Sequence, residues 1–358
     1  MTVTYHSGRR LQGLDADRTA TALPSGSVGG WVELGRTTLG SAGDTISVTS
    51  LPNKRYYMLL KSCTAAVNTV YDQLRFNSDT GTNYAGRRNY NGGTDYLTTS
   101  TNFIEFGGYD VGIPWFDVSY VANYASKEKL VQGHASWSNA TGAATAPNRQ
   151  EITGKWVNTN NAVDQIISYN NAAGDFATGS ELVVLGYDPA DTHTTNFWQE
   201  LASVELTSAS NEISSGAFTA KKYLWIQAYV KGNNSTSPNF RVQVGSGSFD
   251  TGANYAERTS SNGGADGTGG SQDHFPATIG GQNGNFINMF AINNANNEKL
   301  FIVHGTSVTT TGAGTAPTRR EIVGKWANTS NQIDRIKIYR TVGDQYQAGS
   351  KIKVWGAD

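Results

Sequence analysis

The chain has 358 residues, enough for two domains that each bury a core of their own. Charged residues make up 16% of it, a low share that, together with abundant Gly, Asn, Ser and Thr, favours strands and turns over long helices. The 28 basic and 29 acidic side chains leave a formal net charge of −1. No basic excess is available to neutralise phosphates, so nucleic acid is not an expected partner.

Residues 1–27 resemble no other part of the chain, and we expect them to form an extended N-terminal arm. The stretch from Met1 to Gly13 contains Arg9 and Arg10 but lacks the apolar segment of a secretion signal. No apolar run approaches the ~18 residues that a membrane-spanning segment needs. The sequence therefore predicts a protein made in a cytoplasm, without membrane insertion.

The rest of the chain contains one domain twice. The segment 145–159, with Ala-Pro-x-Arg-x-Glu-Ile followed by Gly-Lys-Trp, returns at 315–329. The repeat period is 170 residues. Because this is far longer than the 20 to 50 residues of solenoid repeats, each copy should fold around its own core. The predicted boundaries are 28–187 for copy 1, 188–196 for a polar linker and 197–358 for copy 2.

Each copy is predicted to consist of strands joined by glycine-rich turns. Apolar and polar residues alternate with period two in 223–230, 336–339 and 351–355. Clusters of Gly, Asn and Ser separate such runs, and helical periodicity is almost absent. We therefore predict an all-β fold of two tandem, homologous antiparallel β-sandwich or jelly-roll domains with about eight strands each.

The repeated Gly-Lys-Trp motif ends in Trp156 and Trp326 and has two interpretations. A Trp beside a Lys can stack on a sugar ring or a base. Alternatively, each Trp fills the sandwich core while charged residues just upstream pair on the outside of the same strand, Arg149 with Glu151 and Arg319 with Glu321. We favour the structural interpretation.

Two repeated features have the residue types of a metal site. The Asp-Thr-Gly-x-Asn-Tyr turns that begin at Asp79 and Asp250 offer the oxygen ligands that calcium accepts, but Asp-x-Gly is also ordinary turn chemistry. His134 and His304 are expected at strand ends as structural residues, because neither has a Cys, His or Glu at metal spacing. We predict no metal site from these residues.

Two unrepeated features are also candidates. Asp188, Asp191 and His193 have ligand types, but a solvated linker explains them equally well. The single cysteine, Cys63, lies in an apolar stretch, where a small buried thiol is expected.

The sequence lacks the common motifs of catalytic sites. The sequence contains no Gly-x-Ser-x-Gly elbow, no His-Glu-x-x-His and no phosphate-binding loop. Paired carboxylates for glycoside hydrolysis need only meet in space, so a secreted glycan-cleaving enzyme is a further hypothesis, which the symmetric copies and the missing secretion signal disfavour. We predict a protein that is not an enzyme, with no catalytic, cofactor-binding or metal-binding residues and no cofactor.

The block Ala-Pro-x-Arg-x-Glu-Ile-x-Gly-Lys-Trp-x-Asn-Thr, present at 146–159 and 316–329, resembles a motif of virion structural proteins of tailed phages and related viruses. The upstream Asp-Thr-Gly-x-Asn-Tyr resembles the same family, whose tandem jelly rolls serve as capsid decoration, turret, tail or fibre components. The resemblance covers roughly residues 28–358 and implies no catalytic residues.

The resemblance implies a viral structural protein on the virion surface that assembles as a symmetric homo-oligomer. Its expected partners are further copies of itself and another virion protein, such as the major capsid protein or a tail protein, reached through the N-terminal arm. The alternative is a carbohydrate-binding or receptor-binding tandem module with a host-surface glycan as partner, suggested by 8 Trp and 17 Tyr.

Overall fold

The computed structural model describes residues 30–189, 191, 196–232, 239–279, 283–308, 310–340 and 345–358. The predicted N-terminal arm, 1–27, lies outside the described residues, and so does His193 of the predicted linker. Strands make up all the regular structure in the described part of the chain.

Thirteen strands in the described residues belong to copy 1: β1 Val32–Thr38, β2 Thr45–Val48, β3 Tyr56–Val67, β4 Val70–Phe76, β5 Tyr84–Tyr90, β6 Tyr96–Thr101, β7 Ile104–Tyr109, β8 Pro114–Ala122, β9 Lys129–Trp137, β10 Asn148–Trp156, β11 Ile166–Asn170, β12 Asp175–Phe176 and β13 Glu181–Tyr187.

Thirteen further strands of the described residues belong to copy 2: β14 Gln199–Glu205, β15 Glu212–Ser214, β16 Tyr223–Val230, β17 Asn239–Ser246, β18 Ser248–Phe249, β19 Tyr255–Ser261, β20 Gly267–Gln272, β21 Phe275–Ile279, β22 Gly284–Ile292, β23 Lys299–Val308, β24 Thr318–Trp326, β25 Arg335–Tyr339 and β26 Lys351–Ala357.

Each copy contains one large and one small sheet. In copy 1 the large sheet has the order β1-β13-β3-β8-β9-β10-β5-β6, with β12 beside β3, and the small sheet has the order β2-β11-β4-β7. In copy 2 the corresponding orders are β14-β26-β16-β22-β23-β24-β19-β20 and β15-β25-β17-β18, with β21 beside β17. The pairings between these strands are antiparallel, which confirms the predicted all-β, antiparallel sandwich class.

The number of strands exceeds the predicted eight or so in each copy. Part of the difference comes from very short strands, since β12 and β18 have two residues each. A two-residue strand is too short to display a period, so it cannot be detected by alternation. The three alternating runs were predicted well: β16 covers 223–230, β25 contains 336–339, and in β26 Lys351 and Lys353 alternate with buried neighbours.

Each sandwich has its own apolar core between its two sheets. Trp156 lies in the core of copy 1 and Trp326 in that of copy 2, both almost fully buried. The predicted burial of the two Trp residues in the sandwich cores is therefore confirmed.

Cys63 is also buried as predicted, and burial raises the pKa of its thiol well above the ordinary value.

A third apolar cluster lies between the two copies, where their large sheets face each other. Copy 1 contributes residues of β3, β8 and β13, and copy 2 contributes residues of β16, β22, β23 and β26, as well as Trp198. The buried members are Met58, Leu60, Phe116, Val118, Val183, Leu185, Trp198, Tyr223, Phe290, Ile292, Leu300, Ile302 and Ala357. The two sandwiches thus share an apolar interface.

Candidate functional site

The two Asp turns and the two Trp motifs of the sequence form one structural unit in each copy. Asp79 Oδ2 accepts a hydrogen bond from Nε1 of Trp156 at 2.7 Å, and Asp250 Oδ2 accepts one from Trp326 at 2.8 Å. The same carboxylates accept hydrogen bonds from the backbone and from an Asn side chain of their own turns. These oxygens therefore fix the indole of each core Trp, a connection that was not visible in the sequence.

The two repeated histidines lie against each other at the centre of the interface between the copies. The rings of His134 and His304 have centroids 4.4 Å apart. Each lies within its strand, β9 or β23, which corrects the predicted position at a strand end. Burial lowers the pKa of His134 to about 3, with further contributions from His304 and Arg149.

Glu151 and Glu321 also approach each other across this interface. Each stands directly opposite the histidine of its own copy, Glu151 opposite His134 and Glu321 opposite His304. Burial raises the pKa of Glu151 to about 7, and its contact with Glu321 contributes in the same direction.

Arg149 connects the copies through charge-assisted hydrogen bonds. Its guanidinium donates to both carboxylate oxygens of Asp266, with Nη2 2.8 Å from Oδ1 and Nε 3.0 Å from Oδ2. Nη1 lies 3.2 Å from Glu321 and also contacts Glu151. The predicted pairing with Glu151 therefore occurs, but on a buried surface between the copies and not on the outside of one strand, because copy 2 covers it.

Residues 138–149, here called docking loop 1, lie on the large sheet of copy 2. Ser138 contacts Glu298, and the backbone oxygens of Ser138 and Ala140 accept hydrogen bonds from Lys325 at 3.2 and 2.7 Å. The oxygen of Pro147 accepts one from Arg258 at 3.0 Å. The loop thus provides carbonyl oxygens and one arginine, while copy 2 provides charged side chains.

The surface of copy 2 that faces copy 1 is here called receiving surface 2 and consists of Asp266, Glu298, Leu300 and Lys325. Copy 1 has the same four residue types at the corresponding positions, receiving surface 1, which consists of Asp95, Glu128, Leu130 and Lys155.

The two receiving surfaces differ sharply in exposure. The side chain of Lys325 is 0% exposed and that of Lys155 is 44% exposed, and Leu300 is 1% exposed where Leu130 is 56% exposed.

The two docking loops also differ in exposure: the loop of copy 2 is more exposed than the loop of copy 1. Docking loop 2, residues 308–319, has the same length as docking loop 1 and repeats its Thr-Ala-Pro-x-Arg sequence. Arg149 of docking loop 1 is 6% exposed at its side chain, whereas Arg319 of docking loop 2 is 61% exposed. Residues 310–317 are exposed throughout.

This asymmetry excludes a two-fold relation between the copies. A two-fold axis would place each docking loop on the opposite receiving surface, so both would be buried. Among the described residues, contacts engage docking loop 1 and receiving surface 2 but not the other loop and surface, although equivalent residues meet at His134 and His304 in the centre. The copies are therefore arranged head to tail.

Across the interface between the copies, the structure brings together two sets of sequence candidates, the histidines and the Arg-x-Glu residues. Asp79 and Asp250 each bind the core Trp of their own copy. Asp191 of the predicted linker lies 2.5 Å from Nζ of Lys54. In the described residues no group of three or more His, Cys, Asp and Glu side chains is arranged to hold a metal ion. The described part also contains no helix long and apolar enough to cross a membrane.

Sequence reasoning missed the receiving surfaces and the buried Lys61, which lies among carboxylates. The receiving surfaces had no signal, because residues of the same type are exposed in one copy and buried in the other. One feature of the sequence could have indicated the burial of Lys61: it lies in an apolar stretch whose copy 2 equivalent has Ala228 at the matching position.

No protein-family model matches the chain, and the comparison with curated proteins gave no match. Among solved structures, domains LG4-5 of the mouse laminin alpha1 chain are 9% identical, with 91% of this chain and 89% of that chain covered and a TM-score of 0.20. The beta domain of the Bordetella autotransporter BrkA is 8% identical, with 76% and 100% covered and a TM-score of 0.14. The chain is an all-β protein of sandwich type.

Proposed function

We propose that the chain is a structural protein of a virion surface that assembles head to tail with further copies of itself. The single observation that carries the assembly is that, in the part of the chain that the structure describes, docking loop 2 and receiving surface 1 are both exposed, while their counterparts are engaged with each other inside the chain. Docking loop 2 of one molecule would therefore bind receiving surface 1 of the next.

The charges of the two open surfaces match. By analogy with Arg149 and Asp266, Arg319 would pair with Asp95 of the next chain, a carboxylate that is 40% exposed and lies 2.6 Å from Arg87. Lys155 would donate to carbonyl oxygens of docking loop 2, as Lys325 does to those of docking loop 1. A bidentate Arg–carboxylate pair adds geometric specificity as well as energy.

The engaged pair of surfaces and the open pair differ in the size of the residue on the strand that faces the docking loop. Gly270 approaches docking loop 1 so closely that a Cβ there would lie 2.4 Å from the oxygen of Ala144. At the corresponding positions of receiving surface 1 and docking loop 2, the strand has Thr99 and the loop has Gly314. The glycine therefore lies on the loop and not on the strand. A glycine gives the loop backbone additional conformational freedom, so docking loop 2 can adjust to the larger strand residue.

The open surfaces are also more polar than the engaged ones. Gln132 is exposed where copy 2 has the buried Ile302, and copy 2 has Asn288 where copy 1 has the buried Val118. Interfaces between folded chains are more polar than domain cores, so this difference suits an association of separately folded molecules. Equivalent residues meet at the centre, which places the rotation axis near them and favours a closed ring over an extended filament.

The assembly is tested by light scattering on the full chain, whose mass is 38.4 kDa. We expect a discrete multiple of this mass for the unaltered protein and a monomer for Arg319→Glu. Glu212→Lys is the matched control, because it also reverses an exposed charge but lies on β15, away from both open surfaces. A monomer at every concentration for the unaltered protein, or an unchanged assembly for Arg319→Glu, contradicts the proposal.

The virion location rests on the sequence resemblance and has its own test. Antibodies raised against the purified protein are expected to label the surface of intact particles in electron micrographs of the virus that encodes it. Particles that carry no label and lack the protein in their denatured contents would contradict this part.

A further inference from the structure

A lysine and two aspartates are buried together between the sheets of copy 1. Lys61 Nζ contacts Asp72 Oδ2 and lies 3.0 Å from Asp117 Oδ2. Asp117 stands directly opposite Lys61 on the neighbouring strand, and Asp72 comes from the facing sheet. All three side chains are at most 4% exposed.

The surroundings hold the three groups in fixed positions. Ser168 donates a hydrogen bond of 2.5 Å to Oδ1 of Asp72, which leaves Oδ2 directed at the lysine. The Lys61 ammonium lies 4.4 Å from the centre of the Phe106 ring. Among the described residues, no group donates a hydrogen bond to Oδ1 of Asp117.

Copy 2 has an apolar core at the same place. The strand registers align Lys61 with Ala228, Asp117 with Ile287 and Asp72 with Phe240, and all three copy 2 residues are buried. The fold therefore does not need charges here. Replacing a buried ion pair by apolar residues is often neutral or stabilising, so the charged cluster of copy 1 calls for a chemical explanation.

We propose that Lys61 and Asp72 become joined by an amide bond that the chain forms itself, with Asp117 as the catalytic acid and base. The bond would connect β3 of the large sheet to β4 of the small sheet. This site is independent of the assembly surfaces and goes beyond the proposed structural function.

The reaction is a condensation that needs no oxidant, reductant or further reactant. A proton moves from the Lys61 ammonium to the Asp72 carboxylate, which gives a neutral amine and a carboxylic acid. The amine nitrogen attacks Cγ of Asp72 while the acid of Asp117 donates a hydrogen bond to the carbonyl oxygen. Asp117 then takes a proton from nitrogen and returns one to the departing hydroxyl, so a C–N bond forms, a C–O bond breaks and one water leaves.

The protonation state of Asp117 suits its role as the acid. Burial raises the pKa of Asp117 to about 7, so a protonated form that can donate is well populated near neutrality. Burial lowers the pKa of Lys61, but Asp117 and Asp72 outweigh burial and raise it above the ordinary value. Lys61 is therefore charged at rest, and the free amine of the proposed reaction arises only transiently, when a proton moves within the contact to Asp72.

The dry core favours the product. Charged groups are costly to bury, and a neutral amide removes one ammonium and one carboxylate from the core. Holding amine and carboxyl in contact turns a bimolecular condensation into a step within one molecule. A cavity of about 10 Å³, lined by residues that include Lys61, Asp117 and Ser168, is close to the size needed for the departing water.

The first test is the intact mass of the purified full chain under denaturing conditions. We expect a mass lower than that of the sequence by one water molecule, and a protease digest that contains a branched peptide joining the segments of Lys61 and Asp72. A full sequence mass, or a loss of water located elsewhere in the chain, overturns the proposal.

Variants and labelling separate the roles of the three residues. Asp117→Asn keeps the shape of the side chain and is expected to give the full sequence mass, whereas a complete cross-link in this variant overturns the role of Asp117. Lys61→Met removes the amine and must abolish the branched peptide. An amine-acylating reagent applied to the unfolded protein should label Lys129 and Lys299, which are equally buried but bind backbone oxygens, and should leave Lys61 unlabelled.

Discussion

Arg149 and Arg319 occupy the same position in two copies of one motif, yet Arg149 is buried against Asp266 of the other copy and Arg319 lies at the surface. The difference arises because copy 1 places its docking loop on copy 2, while copy 2 places its own loop on nothing that the structure describes. The sequence repeat is thus used asymmetrically, with one engaged pair of surfaces and one open pair.

The two arginines should respond differently to truncation. Arg149→Ala leaves the buried carboxylate of Asp266 without its main partner and is expected to cost about 3 to 5 kcal/mol of unfolding free energy. Arg319→Ala should change the stability of the monomer by less than ~0.5 kcal/mol. Thermal unfolding of the two variants at high dilution measures this, and equal losses would contradict the asymmetric interface.

Leu300 and Leu130 form a second matched pair. Leu300→Ala removes a side chain from the apolar cluster between the copies and is expected to cost about 2 to 5 kcal/mol. Leu130→Ala should leave the folded monomer nearly unchanged and weaken its self-association, because this leucine belongs to the open receiving surface. Denaturant unfolding reports the first effect and sedimentation the second, and a stable Leu300→Ala chain would speak against the apolar interface.

The turn at Asp79 should stabilise copy 1 through Trp156. Asp79→Ala leaves the buried indole nitrogen without its acceptor and removes two hydrogen bonds within the turn, so a loss of about 1 to 3 kcal/mol is expected. Thr80→Ala in the same turn is the control and should be nearly neutral. Calorimetry measures both, and an unaffected melting temperature for Asp79→Ala would refute the role assigned to its carboxylate.

The histidine pair makes the interface sensitive to acid. The folded pKa of His134 is about 3, below its unfolded value of about 6.5, so its stabilising contribution is complete above pH 6.5 and is lost as the pH falls towards 3. His134→Gln removes this term. The stability of the variant relative to the unaltered protein should therefore rise between pH 7 and pH 5, by about 1 to 2 kcal/mol.

Thermal unfolding of both proteins across this pH range, compared at each pH, isolates the histidine from the other titrating groups, among which Glu151 and Glu321 lie opposite the two rings. A difference between the two proteins that does not change with pH would contradict the low pKa of His134.

The sequence predicted the alternating strands β16, β25 and β26 and the burial of both Trp residues, because those depend on local alternation and on bulky apolar side chains. It could not predict which of two matching arginines is buried, because burial there depends on how two folded domains meet. It also placed His134 at a strand end, since strand limits in glycine-rich segments are poorly marked by alternation. The partnership of Asp79 with Trp156 spans 77 positions in the chain and left no local pattern.

The charge exchange between Arg319 and Asp95 tests the head-to-tail assembly most directly. Arg319→Glu alone and Asp95→Arg alone should each give monomers by light scattering, because each places like charges opposite one another across the open surfaces. The double variant Arg319→Glu/Asp95→Arg restores an opposite pair between neighbouring molecules and should recover the mass of the unaltered assembly. A double variant that remains monomeric while both single variants dissociate the assembly would contradict the pairing, and single variants that still assemble would contradict the interface itself.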